Sequence, residues 1–158
     1  MKFDSKLNYT VLTNKANKTF LEKFSGISVI NEKLSFDELK KSLEFFPSKQ
    51  VVFVETFSYL QKTEREAVIK MLELENVKFI NVTSDVEEAL YRDYVYVFDE
   101  DNMVLEGKTF EVLENEKMLK QLGYGLPFVT DLSRQLMIYD LLDYPFYDVK
   151  DLVEELWS

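Results

Sequence analysis

Neither histidine nor cysteine occurs anywhere in the 158 residues of this chain. Without cysteine there is no disulfide and no thiolate ligand for a metal, a composition that suits a reducing compartment. Without histidine, no imidazole is present to serve as base or ligand. Basic residues are scarce: 19 Lys and Arg stand against 29 Asp and Glu, for a net charge of −10. A nucleic-acid backbone repels such a surface, and so does an anionic membrane, so neither is expected as a partner. No apolar run reaches the roughly 18 residues that a bilayer-spanning helix needs. The opening MKFDSKLNYT has an early acid and no apolar stretch, unlike a signal peptide. Only 4 glycines and 3 prolines are present, and there are no internal repeats or low-complexity linkers. A soluble cytoplasmic protein is the expectation.

What is present builds a core. Hydrophobic residues make up 46% and aromatics 15% of the chain. That suffices for a bulky interior in one domain, or in one domain with a small appendage. Apolar, β-branched runs predict strands over 9–13, 27–30, 50–54, 77–82 and 94–98. QVVFV and VKFINV are almost continuously apolar, as strands buried on both faces are. Asp99-Glu100-Asp101-Asn102 separates YVYVF from MVL and predicts an antiparallel hairpin with a solvated turn; a metal site is the sharper reading of the same acids.

Helices are expected over 18–25, 36–46, 64–75, 85–92, 114–122, 129–142 and 148–157. Ser35, Thr63 and Ser84 each precede a glutamate by three residues (Glu38, Glu66, Glu87) and read as capping boxes. Ala67, Val68, Met71 and Leu72 form a buried stripe. Gly123, Gly125 and Pro127 separate two helices near the end. Alternation of strands and helices predicts a layered α/β core with a mainly parallel sheet over residues 1–107, followed by a helical region over 108–158.

Residues 50–61 read QVVFVETFSYLQ, and residues 79–107 read FINVTSDVEEALYRDYVYVFDEDNMVLEG. Together they resemble the second half of an ABC-transporter ATPase domain. There an apolar strand runs into D-E-P-T-S-x-L-D, a T-H-D switch follows, and an EEAL-type segment leads to a closing V-L-E-G. On this alignment Val51, Val52 and Phe53 lie on the strand. Val54 takes the position of the Mg²⁺-binding aspartate, Glu55 that of the catalytic glutamate, and Gln61 that of the D-loop aspartate. Thr83-Ser84-Asp85 falls on T-H-D, with Ser84 at the switch histidine. A valine offers no oxygen to a hard cation.

The first part, YTVLTNKANKTFLEKFSGI (9–27), resembles the strand, phosphate loop and helix start of the same family. That loop needs G-x-x-x-x-G-K-[ST], because its glycines let backbone N–H groups turn inward around the phosphates. Leu12 and Asn17 occupy the two glycine positions here. Lys18 and Thr19 remain as the candidate nucleotide-binding residues. Leu34-Ser35-Phe36-Asp37-Glu38 aligns with the signature L-S-G-G-E, with Phe36 and Asp37 at the glycines; the plainer reading is the Ser35 capping box. Few residues separate Lys18 from Leu34, where the family carries its Q-loop and helical subdomain. The resemblance therefore implies a truncated P-loop NTPase core.

LKQLGYGLPFVTDLSRQL (119–136) and YPFYDVKDLVEEL (144–156) resemble the tail of energy-coupling-factor ATPases, the cobalt- and vitamin-type importers. The C-terminal helices of those proteins help to pair two subunits. By that resemblance Val129, Leu132, Leu136, Met137 and Leu141 are the expected interface. The competing reading is that these residues cap a small core of their own.

ATP hydrolysis of this kind takes a phosphate-gripping loop, a lysine, oxygen ligands for Mg²⁺, and groups that orient the attacking water. The chain keeps Lys18, Thr19 and Glu55 only. Glu55 is a remnant, and a strand-end acid bonded to nearby N–H groups is its structural reading. With these departures, the resemblance implies a catalytically inactive ABC-ATPase-like protein with no cofactor and no metal. It would be a structural or regulatory subunit, paired with itself or with an active importer ATPase. Any membrane association would be indirect, through a transporter complex. Two readings stay open beside it: a nucleotide-binding protein with residual ATPase activity, and a decayed paralogue without function.

Overall fold

The protein is described by a computed structural model over residues 1–31, 33–44, 46–90 and 92–158. The helices expected over 36–46 and 85–92 include Phe45 and Tyr91, which lie outside the described residues. Strands form where the apolar runs fall: β1 Tyr9–Leu12, β2 Ser28–Ile30, β3 Gln50–Val54, β4 Lys78–Thr83, β5 Tyr94–Asp99 and β6 Asn102–Lys108. They make one sheet in the order β2-β3-β4-β1-β5-β6. β1 to β5 run parallel, and β6 returns antiparallel to β5 through a tight turn at Glu100 and Asp101. The acids of that turn are exposed, and Glu100 takes a left-handed φ of 50°.

Both faces of the sheet are covered, which is why β3 and β4 read as continuous apolar runs. On one face Val52, Val54, Ile80, Val82, Tyr9 and Val11 pack with Phe20 and Phe24. Those two come from a short helix, α1 (Lys18–Leu21), and the 3-10 turn Glu22–Phe24 that continues it. On the other face Val51, Phe53 and Phe79 pack against α2 (Phe36–Glu44) and α3 (Lys62–Leu74) through Leu39, Leu43, Val68 and Leu72. Adjacent residues of a strand point to opposite faces, so β3 feeds both cores.

The caps differ from expectation in two of three places. Ser35 caps α2 as read: Ser35 N–H donates to Glu38 Oε2 at 2.8 Å, and Glu38 N–H donates to Ser35 Oγ at 3.3 Å. The segment aligned with the signature motif is thus a helix cap. α3 starts two residues early, and its box is Gln61 with Glu64, not Thr63 with Glu66: Gln61 N–H donates to Glu64 Oε2 at 2.8 Å. The helix expected over 85–92 is a 3-10 turn, Val86–Ala89, capped by Asp85 rather than Ser84. Asp85 Oδ1 accepts from Glu87 N–H at 2.9 Å, and an aspartate carboxylate accepts more strongly than a serine hydroxyl.

The chain divides into two compact units, Met1–Val112 and Leu113–Ser158. A helix absent from the expectation, α4 (Thr109–Leu113), follows β6 directly. The second unit contains α5 (Glu116–Gln121), α6 (Phe128–Ile138) and α7 (Val149–Leu156). α6 ends four residues before the expected 142. Tyr139 N–H and Leu141 N–H both close on Leu136 O at 3.1 Å, and Asp140 between them takes a left-handed φ of 56°. That reversal folds Leu142 back into the unit's own core with Val129 and Leu152.

Candidate functional site

The segments that leave β1, β3 and β4 meet at one edge of the sheet, outside the carboxyl ends of the strands. Open α/β sheets bind their ligands at this edge. Here the edge is knit together by its own hydrogen bonds. Thr13 N–H donates to Thr83 O at 3.0 Å, and Glu55 N–H donates to Val82 O at 2.8 Å.

The loop over 13–17 joins β1 to α1 without a phosphate cradle. One N–H of the loop, and one from the helix turn beyond it, donate to side chains of the loop. Lys15 N–H donates to Thr13 Oγ1 at 3.1 Å, and the first-turn Phe20 N–H donates to Asn17 Oδ1 at 2.9 Å. No residue of this loop has a positive φ. Leu12, at the first glycine position, is fully buried. The Lys15 ammonium lies 3.6 Å from the Asp101 carboxylate. Lys18 and Thr19 stand exposed on the first turn of α1.

Val54 ends β3 and is 5% exposed, packed into the apolar cluster that holds Val82, Phe20, Phe24 and Phe98. Val54 itself offers no oxygen to Mg²⁺, which takes oxygen donors in octahedral geometry. No group of three or more acidic side chains arranged to hold a metal ion occurs among the described residues.

Glu55 follows with a left-handed φ of 53°, a conformation uncommon for a residue with a side chain. Its Oε1 accepts from Ser84 N–H at 3.1 Å, and its Oε2 lies 3.2 Å from Ser58 Oγ. Glu55 is thus the strand-end acid bonded to a nearby N–H. Ser84 contributes its backbone, while the capping role assigned to its side chain passes to Asp85. Burial pushes the Glu55 carboxyl above its ordinary value; the Ser58 and Ser84 donors oppose this, and the neighbouring Glu88 charge adds to it.

Sequence reasoning misses Ser58, Asn81 and Glu88. Ser58 Oγ also lies 3.1 Å from Glu88 Oε1, and Asn81 Nδ2 donates to Glu88 Oε2 at 2.9 Å. Asn81 is fully buried and Glu88 nearly so. Two signals point to them. β3 and β4 are parallel neighbours, so residues just past both strands must meet at one edge. A polar Asn81 inside an apolar strand also demands a partner.

Of the five expected interface residues, four turn inward within the second unit. Val129, Leu132, Leu136 and Met137 pack with Leu142, Phe146 and Leu152. Only Leu141, 60% exposed, faces solvent. Val129, Leu132 and Leu136 recur at three- and four-residue spacing and so share one face of α6. Exposed apolar side chains of the second unit include Phe128, Ile138, Tyr139, Leu141, Val149 and Trp157.

A mostly parallel sheet of this order, with a loop-to-helix step after β1 and an acid after β3, is the ATPase fold of ABC transporters. CbiO1 of Clostridium perfringens, part of the ABC transporter complex CbiONQ, superimposes with a TM-score of 0.55 at 14% identity. The superposition covers 85% of this chain and 90% of that one, a likeness of fold. In sequence, the chain is homologous to ATP-binding proteins of energy-coupling factor transporters. It is 34% identical over 93 residues to the EcfA1 protein of Clostridioides difficile, covering 56% of this chain. It is 31% identical over 117 residues to that of Lactobacillus delbrueckii subsp. bulgaricus, covering 68% of this chain. The chain spans only 34% and 40% of the length of these two relatives. No protein-family model matches it. Among the described residues, no helix is long and apolar enough to cross a membrane.

Proposed function

We propose that this protein is a catalytically inactive relative of the energy-coupling factor ATPases, acting as a structural or regulatory subunit that pairs with itself or with an active importer ATPase. The observation that carries this reading is Val54. It fills with hydrocarbon the position where the resemblance places the metal-binding aspartate. The capped loop over 13–17 supports it from the other side of the same edge. There the Lys15 amide is bonded to Thr13 and the first-turn Phe20 amide to Asn17. On this reading the protein resides in the cytoplasm and reaches the membrane only through a transporter complex. A second reading, residual nucleotide binding, is favoured by Lys18 and Thr19, which remain exposed on the first turn of α1.

Pairing in this proposal runs through the second unit. Leu141 and Trp157, the latter 83% exposed, are among the exposed apolar side chains of this unit, and soluble monomers rarely leave large apolar patches uncovered. Two-fold symmetry is the usual outcome when like subunits pair. Without nucleotide to join the subunits, the pair is permanent. Light scattering on the purified protein is expected to give a dimer mass, unchanged by Mg-ATP, and a monomer mass for the double variant Leu141→Asp, Trp157→Asp. A monomer at micromolar concentration, or a mass that doubles only when Mg-ATP is added, would refute nucleotide-independent self-pairing.

A further inference from the structure

Three tyrosines gather on one face of the sheet where β1 and β5 begin. Tyr9 and Tyr94 are register partners on these parallel strands, and Tyr96 lies two residues further along β5 on the same side. The Tyr9 and Tyr96 rings stack with centroids 5.9 Å apart. Phe24, from the 3-10 turn after α1, belongs to the same cluster. Phe3 packs against three of these rings. It stands edge-on to Tyr9 at 5.0 Å and to Tyr96 at 5.5 Å, and lies 5.7 Å from Phe24.

The segment that carries Phe3 is held through its main chain. Asp4 N–H donates to the Tyr9 hydroxyl at 2.7 Å. Lys2 N–H donates to the Tyr96 hydroxyl at 3.3 Å, and that hydroxyl donates in turn to Lys2 O. Lys2 and Asp4 themselves are exposed. Beyond them the chain turns away: Asp4 Oδ1 accepts from Lys6 N–H at 2.8 Å, and Asp4 O accepts from Leu7 N–H at 3.2 Å. One ring is therefore seated in a hollow, and the residues on either side of it are bound by backbone alone. Extended peptides are recognised in this way: main-chain hydrogen bonds supply affinity, and a pocket for one side chain supplies the choice of sequence.

We propose that the tyrosine hollow is a recognition site for an aromatic side chain carried on an extended main chain, and that residues 2–4 of the chain itself occupy it as a latch. The latch opens without unfolding the sheet. Tyr9, Tyr96 and Phe24 are fixed by β1, β5 and a core that includes Val11 and Ile80. Residues 1–8 enter no helix or strand, and only Phe3 and Leu7 among them pack on that core. A segment with so few buried apolar contacts and no ladder of its own opens at a lower free energy than the strands beneath it. The partner that fits is a peptide with a phenylalanine between two residues whose side chains are not read. The hollow takes such a peptide when the latch is open and refuses it when Phe3 is seated.

Backbone ¹⁵N NMR of the full chain carrying Phe3→Ala, titrated with the heptapeptide Met1–Leu7, tests the proposal. Saturable shifts are expected at the Tyr9, Phe24 and Tyr96 amides. The same peptide with alanine in place of its phenylalanine should shift nothing, and neither should the native peptide added at the same concentration to the wild-type protein. An unresponsive Phe3→Ala protein would overturn the proposal, and so would equal shifts with the alanine peptide or with the wild-type chain. Should Phe3→Ala fail to fold, hydrogen exchange of the wild-type protein decides. The Lys2 and Asp4 amides are expected to exchange through a local opening that low urea does not accelerate, while the amides of β1 and β5 wait for global unfolding. Exchange of both sets through one common opening would show that there is no latch.

Discussion

Val54→Asp, the change that would restore the aspartate of the resembled motif, is expected to destabilise the protein rather than create a metal site. Val54 is almost wholly buried among Val11, Val52, Val82, Phe20 and Phe24. A carboxylate placed there loses water and gains no cation. An uncompensated buried charge costs about 3–5 kcal/mol. For a chain of this size each kcal/mol lowers the melting temperature by roughly 2–4 °C. The introduced carboxyl would have its folded value raised by burial, so the loss should grow as pH rises and shrink on acidification. Urea unfolding with and without Mg²⁺ checks this. Recovery of the lost stability by Mg²⁺ would show instead that oxygen donors do converge on this position.

The other large effect is expected at Phe53→Ala. Phe53 is fully buried on the opposite face, with ring centroids 5.0 Å from Phe57 and 6.1 Å from Phe79, themselves 5.7 Å apart. Truncating a buried phenylalanine costs about 3–5 kcal/mol through lost burial and the cavity left behind. The three rings join β3, β4 and the turn after β3, so local collapse cannot fill the space without moving the sheet. Leu74→Ala, at a side chain 77% exposed, should stay within about 0.5 kcal/mol. Chemical denaturation of both variants separates the two cases. Equal losses would mean that the face packed on α2 and α3 is not a tight core.

The sheet is legible because its strands are governed by burial, which the sequence records directly. QVVFV and VKFINV announce strands covered on both faces, and they are. On the proposed reading, Leu12, Asn17 and Val54 stand where the resembled motif has residue types of fixed chemistry. Local rules fail where two candidates compete for one task. Thr63 and Ser84 satisfy a capping pattern, yet Gln61 and Asp85 lie nearer the true starts and hold the caps. The tail misleads for a different reason. An apolar excess on one stretch looks like an unpaired face until the chain reverses at Asp140 and brings Leu142 back inside. The contact of Glu55 and Ser58 with Glu88 depends on strand order. Only the pairing of β3 beside β4 brings Ser58 and Glu88, 30 positions apart, to one hydrogen bond.

On the proposed reading, this edge of the sheet does not grip a magnesium nucleotide. Isothermal calorimetry of Mg-ATP against the purified protein, with Lys18→Ala as control, tests it most directly. The expected result is heat of dilution alone into the millimolar range, identical for both proteins. Saturable binding at micromolar nucleotide, lost in Lys18→Ala, would contradict it.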